Sequence, residues 1–158
     1  MGQADSILIQ LPSGKNILID AGNNADSTYI IQYLNSKNVK KLDAIVGTHS
    51  HEDHIGAMDE VINNFDIGQI YMPKVSNNTK TFQNVLTAVK NKGSKVTTAA
   101  AGVKIDLDSS VKIEMLAPNG SAYEDLNDYS AVIKVAFGQT SFLLTGDVQK
   151  QSQNQKCC

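Results

Sequence analysis

Thr48-His49-Ser50-His51-Glu52-Asp53-His54-Ile55-Gly56 contains all three histidines of the chain, in the spacing His-x-His-x-Asp-His. The apolar run Leu42 to Val46 leads into this stretch, and a helix-like run leads away from Ala57. A buried strand that ends in a polar loop and passes into a helix is where open α/β sheets place their ligands. Two imidazoles at i and i+2 on an extended segment can point the same way, and the Asp53-His54 pair behind them can serve a second ion nearby. Imidazole with carboxylate suits zinc, and also manganese or iron. Two such ions about 3.5–4 Å apart would clamp the attacking and leaving oxygens of a hydrolysis and supply hydroxide near neutral pH. The fixed order in a strand-to-helix setting favours a metal site over a histidine-rich surface loop. Glu52 matches no ligand position and is expected to be exposed.

Composition limits the remaining possibilities. A chain of 158 residues, 41% hydrophobic and 19% charged, fits one globular domain with a real core. No apolar run approaches the roughly 18 residues needed to cross a bilayer, and no signal peptide precedes the first strand, so the expectation is a soluble chain, cytoplasmic by default. The net charge of −2 gives no general attraction to nucleic acid, and all 14 basic residues are lysine. Phosphate recognition would therefore fall to metal, lysine and backbone rather than to a guanidinium fork. Cys157 and Cys158 sit adjacent at the chain end and cannot staple a core. A terminal Cys-Cys also fits prenylation, and Met1-Gly2 formally fits myristoylation, but Gly2 has a second explanation below.

Periodicity organises the chain around the histidine stretch. Ser6 to Leu11 and Asn16 to Ile19 read as a hairpin about Pro12-Ser13-Gly14-Lys15. Asp26-Ser27 would cap a helix with Ile30, Ile31 and Leu34 on one face. Ala57, Val61, Ile62 and Phe65 fit a short amphipathic helix, Ile67 to Met72 a strand, and Phe82 to Val89 a helix ending at Gly93. Tyr71 and Phe82 read as core. From Lys95 the pattern turns to β, with strands expected at 95–98, 103–107, 111–116, 131–137 and 140–145; this meander is expected to form a second sheet.

The histidine stretch resembles the metallo-β-lactamase superfamily. Three segments resemble, more closely, the metallo-β-lactamase-like domain of ComEC-type competence proteins: Gly2 to Ile9 with Ile17-Leu18-Ile19-Asp20-Ala21-Gly22, the histidine motif, and Asn127-Asp128-Tyr129-Ser130 followed by Phe142 to Asp147. The resemblance implies an α+β fold, an αββα sandwich, and places Gly2 in a Gly-Gln-x-Asp turn. It implies that Asp20 supports the metal loop from behind, although a turn or cap aspartate would look the same. It implies a metal-bridging role for Asp147. Many superfamily members supply another histidine near position 128; here Asp128 would coordinate metal, hold its water or cap the loop, and Ser130 would bond substrate or a metal-bound water. After Gly146-Asp147 the family continues to a later histidine, whereas this sequence has a polar tail. The expectation is a domain over 1–148, truncated at its C-terminal edge, with a tail over 149–158.

The expected function is metal-dependent hydrolysis of a phosphodiester with two zinc ions, or manganese or iron. His49 and His51 would hold one ion, Asp53 and His54 the other, Asp147 would bridge, and Asp53 would orient the nucleophile. The nuclease-type substrate comes only from the ComEC-like resemblance; a small molecule or nucleic acid fits the residues equally. The alternative is a degenerate metal-binding domain serving assembly or regulation, and a true β-lactamase is the third reading. Further domains in a longer protein, and a dimer formed through an exposed sheet edge, complete the expectations.

Overall fold

A computed structural model describes residues 2–120 and 122–149. Cys157, Cys158 and all of the tail after Gln149 lie outside the described residues. Strands β1 (Ile7–Gln10) and β2 (Asn16–Ile19) form the expected hairpin, closed by Leu11 N–H donating to the Lys15 carbonyl at 2.8 Å. Helix α1 (Ser27–Ser36) then crosses to β3 (Lys41–Val46), which pairs parallel with β2. Helices α2 (Glu52–Ile55) and α3 (Met58–Asn64) lead to β4 (Asp66–Met72), and α4 (Lys80–Asn91) leads to β5 (Val96–Thr98). The resulting sheet has the order β1-β2-β3-β4-β5, parallel from β2 onward.

Strand alternation sends side chains to two cores. Leu18, Ile45, Ile70 and Met72 face the helices, where they meet Ile30 and Leu34 of α1, Met58 and Ile62 of α3, and Val85 of α4. Ile17, Ile19, Ala44, Val46 and Tyr71 face the other way, onto a three-stranded antiparallel sheet. That second sheet consists of β6 (Val111–Ala117), β7 (Val132–Phe137) and β8 (Thr140–Leu144) and contributes Ile113, Met115, Ile133 and Val135. Three layers of the expected sandwich follow: helices, sheet, sheet. Among the described residues no helix covers the outer face of the second sheet, where Lys112, Glu114 and Lys134 lie. Tyr71 and Phe82 are both core residues.

Four local expectations are revised. Strand β5 belongs to the first sheet, because the crossover through α4 returns it parallel to β4. Residues 103–107 form no strand; they touch β6 through one bridge, Lys104 to Glu114, and through Ile105 N–H to the Ile113 carbonyl at 3.0 Å. Asp26 does not cap α1 with its side chain, and its carboxylate instead accepts the Asn23 N–H at 3.3 Å, closing the 3-10 turn Asn24–Asp26. The histidine motif starts a helix of its own, with His51 as its N-cap, a turn earlier than the run from Ala57 indicates.

The sides of the two sheets that carry β1 and β8 do not close on each other. An apolar groove of about 560 Å³ runs between them, lined by Ile7, Ile9, Leu11, Phe137 and Phe142. Among the described residues strand β8 pairs only with β7, and its Phe142 and Leu143 are 63% and 52% exposed.

One backbone contact sets where α2 sits. A Cβ placed on Gly56 would fall 2.3 Å from the Asn24 nitrogen and 2.4 Å from the Asn23 carbonyl carbon, and backbone cannot move aside as a flexible side chain does. Gly56→Ala is therefore expected to cost about 2–4 kcal/mol, through overpacking against backbone. Urea unfolding checks it, and a loss below about 0.5 kcal/mol would mean the 3-10 turn yields.

Candidate metal centre

Strand β3 ends at Val46, and the next residues are almost wholly enclosed: Thr48, His49 and His54 are each at most 1% exposed. Polar groups so deep require partners. Asp20, at the end of β2, supplies them. Its backbone takes the left-handed region at φ 57°, a conformation that short polar side chains tolerate and that often marks a functional constraint. There the carboxylate accepts the Thr48 N–H at 2.8 Å, the Thr48 hydroxyl at 2.7 Å and His54 Nδ1 at 2.8 Å. Asp20 is thus placed behind the loop in contact with it, 2% exposed.

With its Nδ1 engaged by Asp20, His54 turns Nε2 toward two carboxylates, Asp147 Oδ1 at 3.5 Å and Asp53 Oδ2 at 4.0 Å. His49 Nε2 and His51 Nδ1 face each other at 3.1 Å. Two nitrogens bound to one zinc at about 2.0–2.1 Å in a tetrahedron stand about 3.3 Å apart, so this separation fits a shared ion. The ligand atoms of His49, His54 and Asp147 all lie within 4.8 Å of one another, which makes the two groups contiguous. Three of the five residues singled out by the motif and the Gly-Asp turn, His49, His54 and Asp147, thus form one group, to which His51 is joined through His49 and Asp53 through His54; Asp53 and Asp147 are the half-open side, with side chains 41% and 44% exposed.

Electrostatics separates the histidines. Burial pushes the pKa of His49 down to about 3, and the neighbouring His54 and His51 push the same way, so its ring is neutral with a lone pair to give. Burial also disfavours charge on His54, but the hydrogen bond and charge of Asp20, with Asp147 and Asp53 beyond, outweigh it and raise the pKa to about 9. Burial raises the pKa of Asp20 as well, against the bonds from His54 and Thr48 that pull it down. The pair shares one proton, and we place it on His54, because the carboxylate already accepts three hydrogen bonds.

Backbone bonds from distant segments hold the loop. Asp5 N–H donates to the Asp53 carbonyl at 3.1 Å and the Asp5 carbonyl accepts Gly22 N–H at 2.9 Å, so the Gly-Gln-Ala-Asp turn acts through its main chain. Asn77 Nδ2 donates to the Ser50 carbonyl and Ser50 Oγ, both at 3.1 Å. Neither Asn77 nor Thr48 carries a sequence signal that marks it as a support of the loop. Asp128 is buried on the 3-10 turn Leu126–Tyr129. Ser130 is wholly buried beside the loop: Ala131 N–H donates to the Thr48 carbonyl at 2.9 Å, and a Cβ on Gly146 would lie 3.4 Å from Ser130 Cβ. Among the described residues the Ser130 hydroxyl has no hydrogen-bond partner, and neither does Asn127 Oδ1. A buried orphan hydroxyl next to convergent ligands fits a site that takes up a further polar group. Glu52 is exposed and apart from this arrangement.

The chain is similar to ComE operon protein 3 of Bacillus subtilis, with 24% identity over 98% of this chain and 22% of that protein. Among solved structures it resembles CmlA, a diiron beta-hydroxylase from Streptomyces venezuelae, with a TM-score of 0.59 and 13% identity over 98% of this chain and 32% of that one. It also resembles a diphosphatase of the PhnP family, with a TM-score of 0.52 and 21% identity over 94% of this chain and 55% of that one. The chain spans about a fifth of the length of the curated relative, which is a longer protein. Among the described residues no helix is long and apolar enough to cross a membrane. The strand order, the two facing sheets and the loop at the end of β3 have the same explanation as the family model that matches residues 1–154: the chain belongs to the metallo-beta-lactamase superfamily.

Proposed function

We propose that this chain is a metal-dependent hydrolase of phosphodiester bonds, with zinc as the ion and His49, His51, Asp53, His54 and Asp147 as its ligands. The observation that carries this reading is the convergence of His49 Nε2 with His51 Nδ1 at 3.1 Å and of His54 Nε2 with Asp147 Oδ1 at 3.5 Å. Divalent ions held there would polarise the scissile group and make water a nucleophile near neutral pH. Asp53, partly open to solvent, would orient that water and accept a proton. Ser130, with its unpaired hydroxyl, would bond the substrate or a water of the site. The ComEC-like segments support phosphodiester as the substrate, and the fold neighbour described as a diphosphatase acts on related chemistry. A neighbour that shares this fold over part of its length is described as a diiron beta-hydroxylase, and the fold alone does not choose metal or reaction.

A noncatalytic metal-binding domain is the second reading, favoured by one observation. The ligand atoms of His49, His54 and Asp147, which lie within 4.8 Å of one another, would together hold a single ion. Titration with zinc decides between the readings: two ions per chain with turnover of a phosphodiester such as bis-p-nitrophenyl phosphate supports the enzyme, and one ion without turnover supports the second. For the enzyme, His51→Ala is expected to lower turnover at least about 100-fold, and unchanged turnover removes the proposal.

Proton competition gives a further outcome. His54 keeps its proton to about pH 9 in the metal-free protein, and an ion must displace it. Zinc affinity is therefore expected to rise by about tenfold per pH unit from neutrality up to pH 9 and then level off. Calorimetry in buffers of different ionisation enthalpy reads the released proton, and a flat profile over this range would contradict the assignment of His54.

We also propose that the edge of β8, unpaired among the described residues, pairs with the same edge of a second copy. Phe142 and Leu143 are exposed on that strand, and an antiparallel two-fold pairing would complete the hydrogen bonds of the edge and set these side chains beside their counterparts on the second copy. Light scattering is expected to show a dimer that Phe142→Lys returns to monomer; a monomer at high concentration counts against it.

A further inference from the structure

The hydroxyl of Thr48 lies between the two ligand groups, and nothing in the motif requires it. Its geometry settles which atoms donate. Thr48 Oγ1 stands 2.7 Å from Asp20 Oδ2, and with the shared proton of the Asp20–His54 pair on His54 the ionised carboxylate only accepts, so the single hydroxyl proton goes to Asp20. The Thr48 oxygen then has lone pairs only. His54 Nδ1 is 3.4 Å from it but 2.8 Å from Asp20 Oδ2, and its proton goes to the carboxylate. His49 Nδ1 is 3.2 Å from Thr48 Oγ1. With the hydroxyl proton committed to Asp20, a hydrogen bond in that pair has His49 Nδ1 as its donor, which leaves the lone pair of His49 on Nε2, the atom facing His51. One carboxylate thus orients both histidines, His54 directly and His49 through a hydroxyl.

The same residue ties in the second sheet. Its carbonyl accepts Ala131 N–H at 2.9 Å, where β7 begins. Its side chain fills the space over Gly146, where a Cβ would lie 3.2 Å from Thr48 Oγ1 and 3.3 Å from Thr48 Cβ. Gly146 has φ 51°, and the turn it makes carries Asp147 toward His54.

We propose that Thr48 is a positioning residue that couples the two halves of the metal centre, relaying the orientation set by Asp20 to His49 and seating the Gly146-Asp147 turn. The metal part of this inference rests on the reading of the site given above; the tautomer of His49 does not. The test uses the full chain labelled with ¹⁵N-histidine, metal-free at neutral pH, together with Thr48→Val and Thr48→Ser. Wild type and Thr48→Ser are expected to show His49 protonated on Nδ1, and Thr48→Val to move that proton to Nε2. Zinc affinity is expected to fall about 10–100-fold in Thr48→Val and to return to within about threefold of wild type in Thr48→Ser. A residue that only packs would give the opposite order, because serine loses the methyl group that valine keeps. His49 protonated on Nε2 in wild type overturns the proposal even if Thr48→Val fails to fold, as does a Thr48→Val protein with unchanged tautomer and zinc affinity. If wild type takes up no zinc while the tautomers behave as stated, the metal reading fails and the relay stands.

Discussion

A carboxylate enclosed at the end of a strand carries this structure. Asp20 is 2% exposed, and an ion so buried is tolerable only when donors surround it. They come from one short stretch of chain: the Thr48 amide, the Thr48 hydroxyl and the His54 ring. The left-handed backbone at Asp20 aims the side chain across from β2 to the end of β3, and the parallel pairing of these strands brings both ends to the same edge of the sheet. Removing the carboxylate would therefore leave three buried donors unpaired at once, in the loop where the ring nitrogens must be aligned. Structure and chemistry share this one group.

The legible part of the chain was the part governed by local pattern. The motif from His49 to His54 named both the superfamily and the loop, because ligand spacing is a property of sequence. The hairpin, the helices with Ile30 and Leu34 or Val85 and Val89, and the strand ending at Val46 followed from alternation and helical period. What failed depended on tertiary partners. Residues 103–107 alternate like a strand, yet a sheet is a matter of neighbours, and only Lys104 meets one in a bridge. Strand β5 has every residue exposed, and its place beside β4 follows from the path of α4, not from its own composition.

Within the site, the same division holds. The resemblance directed attention to Asp20 and Asp147, and both lie against His54. Thr48 was invisible because threonine next to a histidine is unremarkable until its hydroxyl is seen between an aspartate and two rings. Asn77 lay within a polar stretch, and its role in bonding Ser50 depends on how β4 delivers the following loop to the same edge of the sheet. Ser130 was visible as a candidate, whereas its lack of a partner is a statement about volume and burial that no string of letters contains.

The distribution of the candidate ligands along the chain bears on how the protein folds. Four of them, His49, His51, Asp53 and His54, occupy one strand-to-helix turn, while Asp147 arrives on the turn after β8, at the far end of the second sheet. An ion present during folding would find the first four close together before either sheet is complete, and capturing the fifth would close a very long loop. Contacts of that span are the slow ones, since the entropy of closing the loop is lost before the contact is gained. A metal ion that holds this contact would act on the folding barrier as well as on the native state, and the order in which chain and metal are mixed would set how quickly the two sheets find each other.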